Sequence, residues 1–194
     1  MRLTPGMQAP PFEATAITGA TVSLRAFRGR TVLLKFYRFA TCPVCNLHLH
    51  HFACDYAALE AAGIRAIVFF HSPHAKLVTT RRDEVPFPLV ADPDKRMFRL
   101  YGVETGWRGM ISPAVMRDYV RALCAGFPSG MFTSDGGMLG NPADFLIDGD
   151  GRVVFARYGR HYADSLTARE VLERARVSPC ALAAAIERPS LTTV

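Results

Sequence analysis

The segment 31–37, Thr-Val-Leu-Leu-Lys-Phe-Tyr, is a nearly continuous apolar and β-branched run, which predicts a central strand buried on both faces. Thr41-Cys42-Pro43 follows, a polar residue and a proline where a helix would begin, and good helix formers continue through Ala62 until Gly63 stops them. A second apolar run, Ile64 to Phe70, predicts the next strand. His71-Ser72-Pro73 then opens a helical stretch to about Arg82, and Phe87-Pro88-Leu89-Val90 a short strand leading through Asp92-Pro93-Asp94 to a helix ending at Tyr101-Gly102. This βαβα alternation predicts an α/β fold. Upstream, Thr4-Pro5-Gly6 and Pro10-Pro11 mark an extended entry, and Gly19-Ala20 before Thr21–Leu24 predicts a small hairpin lying over the core. Downstream, residues 103–140 read as an insertion with one amphipathic stretch, Pro113 to Leu123, and loop markers at Gly130, Gly136, Gly137 and Gly140. Ala143–Asp148 and Arg152–Tyr158 flank Asp148-Gly149-Asp150-Gly151, a hairpin signal, and Thr167-Ala168-Arg169-Glu170 is a capping box for a last helix. The expected organisation is one domain over 1–177, the insertion at about 103–140 included, followed by a tail at 178–194, with no internal repeat.

Composition narrows the function. The chain has 194 residues, 49% hydrophobic and 21% charged, enough for one well-buried core. Its charge of +6 comes from 23 basic residues, 20 of them Arg, but they are scattered, with no basic run longer than Arg81-Arg82, which argues against nucleic-acid binding. No apolar stretch approaches a membrane span, and Met1-Arg2-Leu3-Thr4-Pro5 lacks an apolar signal core, so a cytoplasmic location is the expectation. Five cysteines, an odd number, do not make a disulfide scaffold, so a closely spaced pair points to metal binding or catalysis. That pair is Cys42 and Cys45.

A Cys-x-x-Cys in the first turn of a helix brings two sulfurs within disulfide reach, while the helix N-terminus favours a thiolate. Such placement lowers a thiol pKa from about 8.5 to roughly 7 or below. Cys42 is expected to face solvent and attack, and Cys45, one turn in, to be buried and resolve. The same spacing is compatible with ordinary core cysteines or half a zinc site. Arg38 is placed to stabilise a thiolate or a leaving oxyanion, and Thr41 to cap the helix. His48, His50 and His51 invite a metal reading with Cys42, Cys45 and Cys54, yet one helix cannot aim them all at one centre: Cys45 and His48 share a face and His50 points elsewhere. Cys54, Cys124 and Cys180 read as buried thiols, with Cys124 also able to resolve from a distance. Trp107, Met110 and Phe127 read as packing, or as a lid or oligomer contact.

The segment Lys35-Phe36-Tyr37-Arg38-Phe39-Ala40-Thr41-Cys42-Pro43-Val44-Cys45-Asn46-Leu47 resembles the active-site segment of peroxiredoxin-like proteins of the AhpC/TSA family, within the thioredoxin-fold superfamily. Residues 5–12, Ala91-Asp92-Pro93-Asp94 with Tyr101-Gly102-Val103, and Asn141 to Asp148 are similar to that family's blocks in the same order. The resemblance covers residues 5 to about 176 apart from the insertion. It implies a thioredoxin-like fold: a central mixed β-sheet flanked by helices, an N-terminal hairpin extension, and an insertion before a strand introduced by a cis-proline. It also marks departures. The family's Pro-x-x-x-Thr-x-x-Cys would place its cysteine at Cys45, but Arg38 stands for the Pro and Cys42 for the Thr. Pro142-Ala143 replaces the family's Arg and resembles the cis-proline of thioredoxins, which implies a cis Pro142 across from Cys42. The site thus resembles a peroxiredoxin scaffold carrying a thioredoxin-type pair. Lys35, near where thioredoxins carry a buried acid, either favours a thiolate at Cys45 or snorkels to the surface.

The implied function is a thiol-dependent oxidoreductase in which Cys42 attacks a peroxide or disulfide and Cys45 closes a disulfide. No bound cofactor is needed. A thioredoxin- or glutathione-type thiol would reduce it, and oligomers are possible. The alternatives are a metal-binding or metallochaperone module and a redox sensor on the same fold.

Overall fold

The structure, a computed structural model, describes residues 1–80, 85–103, 112–127 and 140–177. Its centre is a five-stranded sheet built from β3 (Thr31–Tyr37), β4 (Ile64–Phe70), β5 (Leu89–Ala91), β6 (Ala143–Ile147) and β7 (Val153–Tyr158), in the order β5-β4-β3-β6-β7. β3, β4 and β5 run parallel, while β6 is antiparallel to β3 and to β7, so the sheet is mixed. The two apolar runs become β3 and β4 with the expected bounds, paired in register from Thr31 with Ile64 to Tyr37 with Phe70.

Alternation along β3 divides the core. Val32, Leu34 and Phe36 face a layer formed by the N-terminal segment and α4 (Arg96–Leu100), while Leu33 and Tyr37 face α1 (Pro43–Cys54), α2 (Tyr56–Ala61) and α6 (Ala168–Val177). In the first layer Phe36 stacks on Phe69 at 4.9 Å and meets Phe98 and Phe145 edge-on. Each such aromatic pair contributes about 0.5–1.5 kcal/mol beyond burial. The small hairpin β1 (Glu13–Thr15) and β2 (Thr21–Ser23) is tied to the β5 edge by Ile17 N–H donating to the Leu89 carbonyl. It covers that edge and buries Val22.

The expected helix from Cys42 to Ala62 is two helices, α1 and α2, broken at Asp55, whose φ of −93° and ψ of 0° leave the helical region. α3 (His74–Thr80) and α5 (Pro113–Cys124) occupy predicted helical stretches. The capping box forms as read, Glu170 N–H donating to Thr167 Oγ1 and Thr167 N–H to Glu170 Oε2. One backbone expectation is corrected. The Asn141–Pro142 bond is trans, as is every described peptide bond. The Pro142 ring lies over Gly159, where a Cβ would come within 2.8 Å of Pro142 Cγ, and Gly159 N–H donates to the Pro142 carbonyl. The missing side chain at Gly159 makes room for the ring in the lower-energy isomer. Most of the insertion, with Trp107 and Met110, and the tail with Cys180 lie outside the described residues. No helix among the described residues is long and apolar enough to cross a membrane.

Candidate active site

The site forms at the carboxyl end of β3, where the chain leaves the sheet through residues 38–41 and turns into α1. That loop is gripped from several sides. His71 N–H donates to the Arg38 carbonyl, Ala40 N–H to Ser72 Oγ, and Asn46 Nδ2 to the Ala40 carbonyl. Cys42 is the N-cap of α1, and its sulfur accepts the Cys45 N–H at 3.3 Å. The cap expected from Thr41 is thus made by the neighbouring sulfur, and Thr41 is buried beside it. Pro43 follows at the first helical position, where no N–H is required.

Cys42 and Cys45 come together as expected, but the expectation that Cys42 faces solvent is corrected: each is only 2% exposed. Arg38 and Tyr162 account for it. Arg38 Cζ sits 3.3 Å from the centre of the Tyr162 ring and 4.9 Å from that of Phe39, and Arg38 Nη1 lies 3.9 Å from Cys42 Sγ. The Tyr162 phenol is close enough to feel charge on both sulfurs. A stacked guanidinium and phenol therefore roof the pair.

The two thiols are electrically unlike. Burial pushes the Cys42 thiol up, but the Cys45 thiol donating to it, the Arg38 guanidinium, and the backbone N–H groups of Cys45 and Val44 more than offset this, bringing it from 9.0 down to about 7. Burial, the hydrogen bond given to Cys42 and the charge there hold Cys45 well above its ordinary value. One sulfur is poised as a thiolate and the other as its hydrogen-bond donor.

Other expected residues are used differently. Lys35 neither snorkels nor reaches a sulfur: it is fully buried, with Nζ 2.6 Å from Asp144 Oδ1 and 2.8 Å from the Leu166 carbonyl. Its partner faces it across the β3–β6 ladder. His48 Nε2 lies 3.0 Å from Asp118 on α5, and His50 lies 3.8 Å from Cys54 and against Phe127. Among the described residues no group of three or more His, Cys, Asp or Glu side chains is disposed to hold a metal ion. Cys54 and Cys124, expected to be buried, are exposed because both end helices at the surface. Pro142 joins the site's surroundings through Gly159, which opens the segment carrying Tyr162.

Sequence reasoning missed Tyr162, Ser72 and His71. His71 is fully buried between Phe39 and Phe98, and neither ring nitrogen has a hydrogen-bond partner among the described residues. Burial, then Lys95 and Arg38 nearby, lower its pKa from 6.5 to about 3. No motif marks these three. Asp144 carried a readable signal, a lone acid in an apolar strand opposite the lone base of β3.

The AhpC/TSA family matches residues 5–156. A Mycobacterium tuberculosis protein named "Putative peroxiredoxin Rv2521" is 30% identical over 160 residues, covering 81% of this chain and 86% of its own length. Among solved structures, peroxidoxin BcpB from Mycobacterium tuberculosis superposes with a TM-score of 0.63 at 17% identity, over 97% of this chain and 100% of its own. The reduced 2-Cys peroxiredoxin of Plasmodium vivax gives 0.62 at 19% identity, over 87% and 78%. These two structures share the fold.

Proposed function

The chain belongs to the AhpC/TSA family and is a thiol-dependent oxidoreductase, and from that premise we propose that it reduces a small peroxide through Cys42, with Cys45 resolving. The observation that carries this reading is the division between the thiols: Cys42 lowered to about 7 beside Arg38, Cys45 held protonated and donating to it. The Cys42 thiolate attacks one peroxide oxygen, breaking the O–O bond and leaving a sulfenic acid and an alkoxide or hydroxide that takes up a proton. Arg38 stabilises first the thiolate and then the departing oxygen. Cys45 then gives up its proton and attacks the Cys42 sulfur. Water leaves and the Cys42–Cys45 disulfide closes within one helical turn. Two external thiols return the pair to the reduced state. Thr41 and Pro142 belong to the wall of the site, the second by way of Gly159, and residues 1–177 act as one redox domain.

The second reading is exchange with a disulfide substrate, favoured by Arg38 and Cys42 standing where the family motif has Pro and Thr. Burial of both sulfurs under Arg38 and Tyr162 ranks the peroxide first, since a bulky disulfide must displace that roof. Stopped-flow oxidation of the reduced protein by hydrogen peroxide and by a model disulfide decides between them. Faster reaction with peroxide and a sulfenic acid on Cys42 in Cys45→Ser are expected. A sulfenic acid that forms only on Cys45 in Cys42→Ser overturns the assignment of roles.

A further inference from the structure

Beside the site, and not part of it, lies a cleft of about 260 Å³ between the end of α1, the exposed edge of α5 and residues 163–168. Its walls carry opposite charges. Asp55 lines it at the C-terminus of α1, while Arg117 and Arg121 line the α5 side. Asp118, nearly buried, accepts from Arg117 Nε at 3.0 Å and from His48 at 3.0 Å, and holds Arg121 at 3.6 Å. These contacts fix the arginines through one nitrogen each, and with side chains 60% and 64% exposed they keep guanidinium donors for a ligand. The volume suits a small molecule rather than a protein segment.

Neither sulfur lines the cleft, but two elements lead from it toward them. His48, in its wall, follows Cys45 by three residues on the same helix face, about one turn or ~5 Å along α1. Ala163, in the opposite wall, follows Tyr162 directly in the chain. A molecule in the cleft thus rests against the segment that roofs the site.

The geometry points to this cleft as the binding site for the reducing substrate, a zwitterionic peptide thiol of the glutathione class. Its carboxylate meets Arg117 and Arg121 and its ammonium meets Asp55. This rests on the redox reading of Cys42 and Cys45. The bound thiol, as thiolate, must displace the Arg38–Tyr162 roof to reach the buried pair, and it then attacks Cys42 Sγ of the Cys42–Cys45 disulfide. Cys45 leaves and takes up the proton. A second thiol attacks the mixed disulfide, releasing Cys42 and the disulfide of the two small thiols, so two electrons pass to the protein.

Reduction of the oxidised protein is measured with glutathione and with uncharged dithiothreitol, and binding with S-methylglutathione, which has the same charges and no free thiol. The proposal expects S-methylglutathione to bind and to slow reduction by glutathione more than by dithiothreitol. It expects the double variant Arg117→Gln, Arg121→Gln to weaken that binding and to lower the ratio of glutathione-driven to dithiothreitol-driven rate by at least about tenfold. Asp55→Asn should lower the same ratio. An unchanged ratio in the double variant, or absence of S-methylglutathione binding, overturns the proposal. Succinate binding as tightly as S-methylglutathione overturns its zwitterionic part. Failure of dithiothreitol to restore free Cys42 and Cys45 after oxidation instead overturns the redox reading, while binding of S-methylglutathione is still scored separately.

Discussion

Two buried cation–anion pairs lie close together in this fold and are built for opposite purposes. Lys35 and Asp144 meet at 2.6 Å, and the remaining demands of the pair fall on one residue: Lys35 donates to the Leu166 carbonyl and Asp144 accepts the Leu166 N–H. Arg38 and Cys42 meet at 3.9 Å, with the guanidinium also against the faces of Phe39 and Tyr162. A network in which each charge meets its opposite at hydrogen-bond distance is inert, because any change of charge leaves a buried ion unpaired. The donors around the Cys42 sulfur instead stabilise its thiolate, the form that carries a reactive electron pair. On the proposed reading, scaffold and reagent therefore differ in what their partners stabilise, a fixed ion pair or a titrating thiol, and not in burial.

The largest expected effect removes the reactive pair. Cys42→Ser should lower peroxide-dependent turnover to background in a coupled thiol-oxidation assay with little change in the urea midpoint, while Cys45→Ser should keep the first oxidation step and lose disulfide closure. Lys35→Met should do the reverse. It strands Asp144 in the core and costs about 3–5 kcal/mol of stability by urea denaturation, and adding Asp144→Leu should recover much of the loss.

A third buried group sharpens the contrast, since the His71 ring has no hydrogen-bond partner among the described residues and sits beside Lys95 and Arg38. Its pKa is about 3 folded against 6.5 ordinarily, so the unfolded chain binds more protons between those values. Stability should therefore fall as pH drops below about 6.5, by about 1.4 kcal/mol per pH unit, levelling off below about 3. His71→Phe should flatten that slope in urea midpoints compared at neutral and acidic pH.

The smallest effect is on the thiolate. The alkylation rate of Cys42 should rise with pH through about 7 in the parent, and Arg38→Met should move that midpoint up toward 9.0, slowing alkylation at neutral pH by at least about fivefold. An unmoved midpoint would show that the Cys45 thiol and the helix N–H groups set it without Arg38.

The sequence was legible where one local pattern decided the outcome. β3 and β4 were readable to the residue because strands buried on both faces announce themselves as unbroken apolar runs. Cys42 and Cys45 were readable because their spacing is itself the chemistry. The break at Asp55 was not, since neither Gly nor Pro marks it. The burial of Cys42 was hidden for a different reason: its roof, Tyr162, comes from a loop 120 residues away that carries no motif. The cis form at Pro142 was expected from likeness to other sites, whereas the bond is trans with its ring against Gly159, a contact that no local pattern announces.

The backbone grip on Leu166 reaches beyond the core. Tyr162 lies on a stretch whose two ends are fastened, Gly159 to the Pro142 carbonyl and Leu166 to both Asp144 and Lys35. Access from above the sulfurs then depends on the few residues between those two fastenings, and an ion pair that touches neither sulfur fixes where that stretch ends.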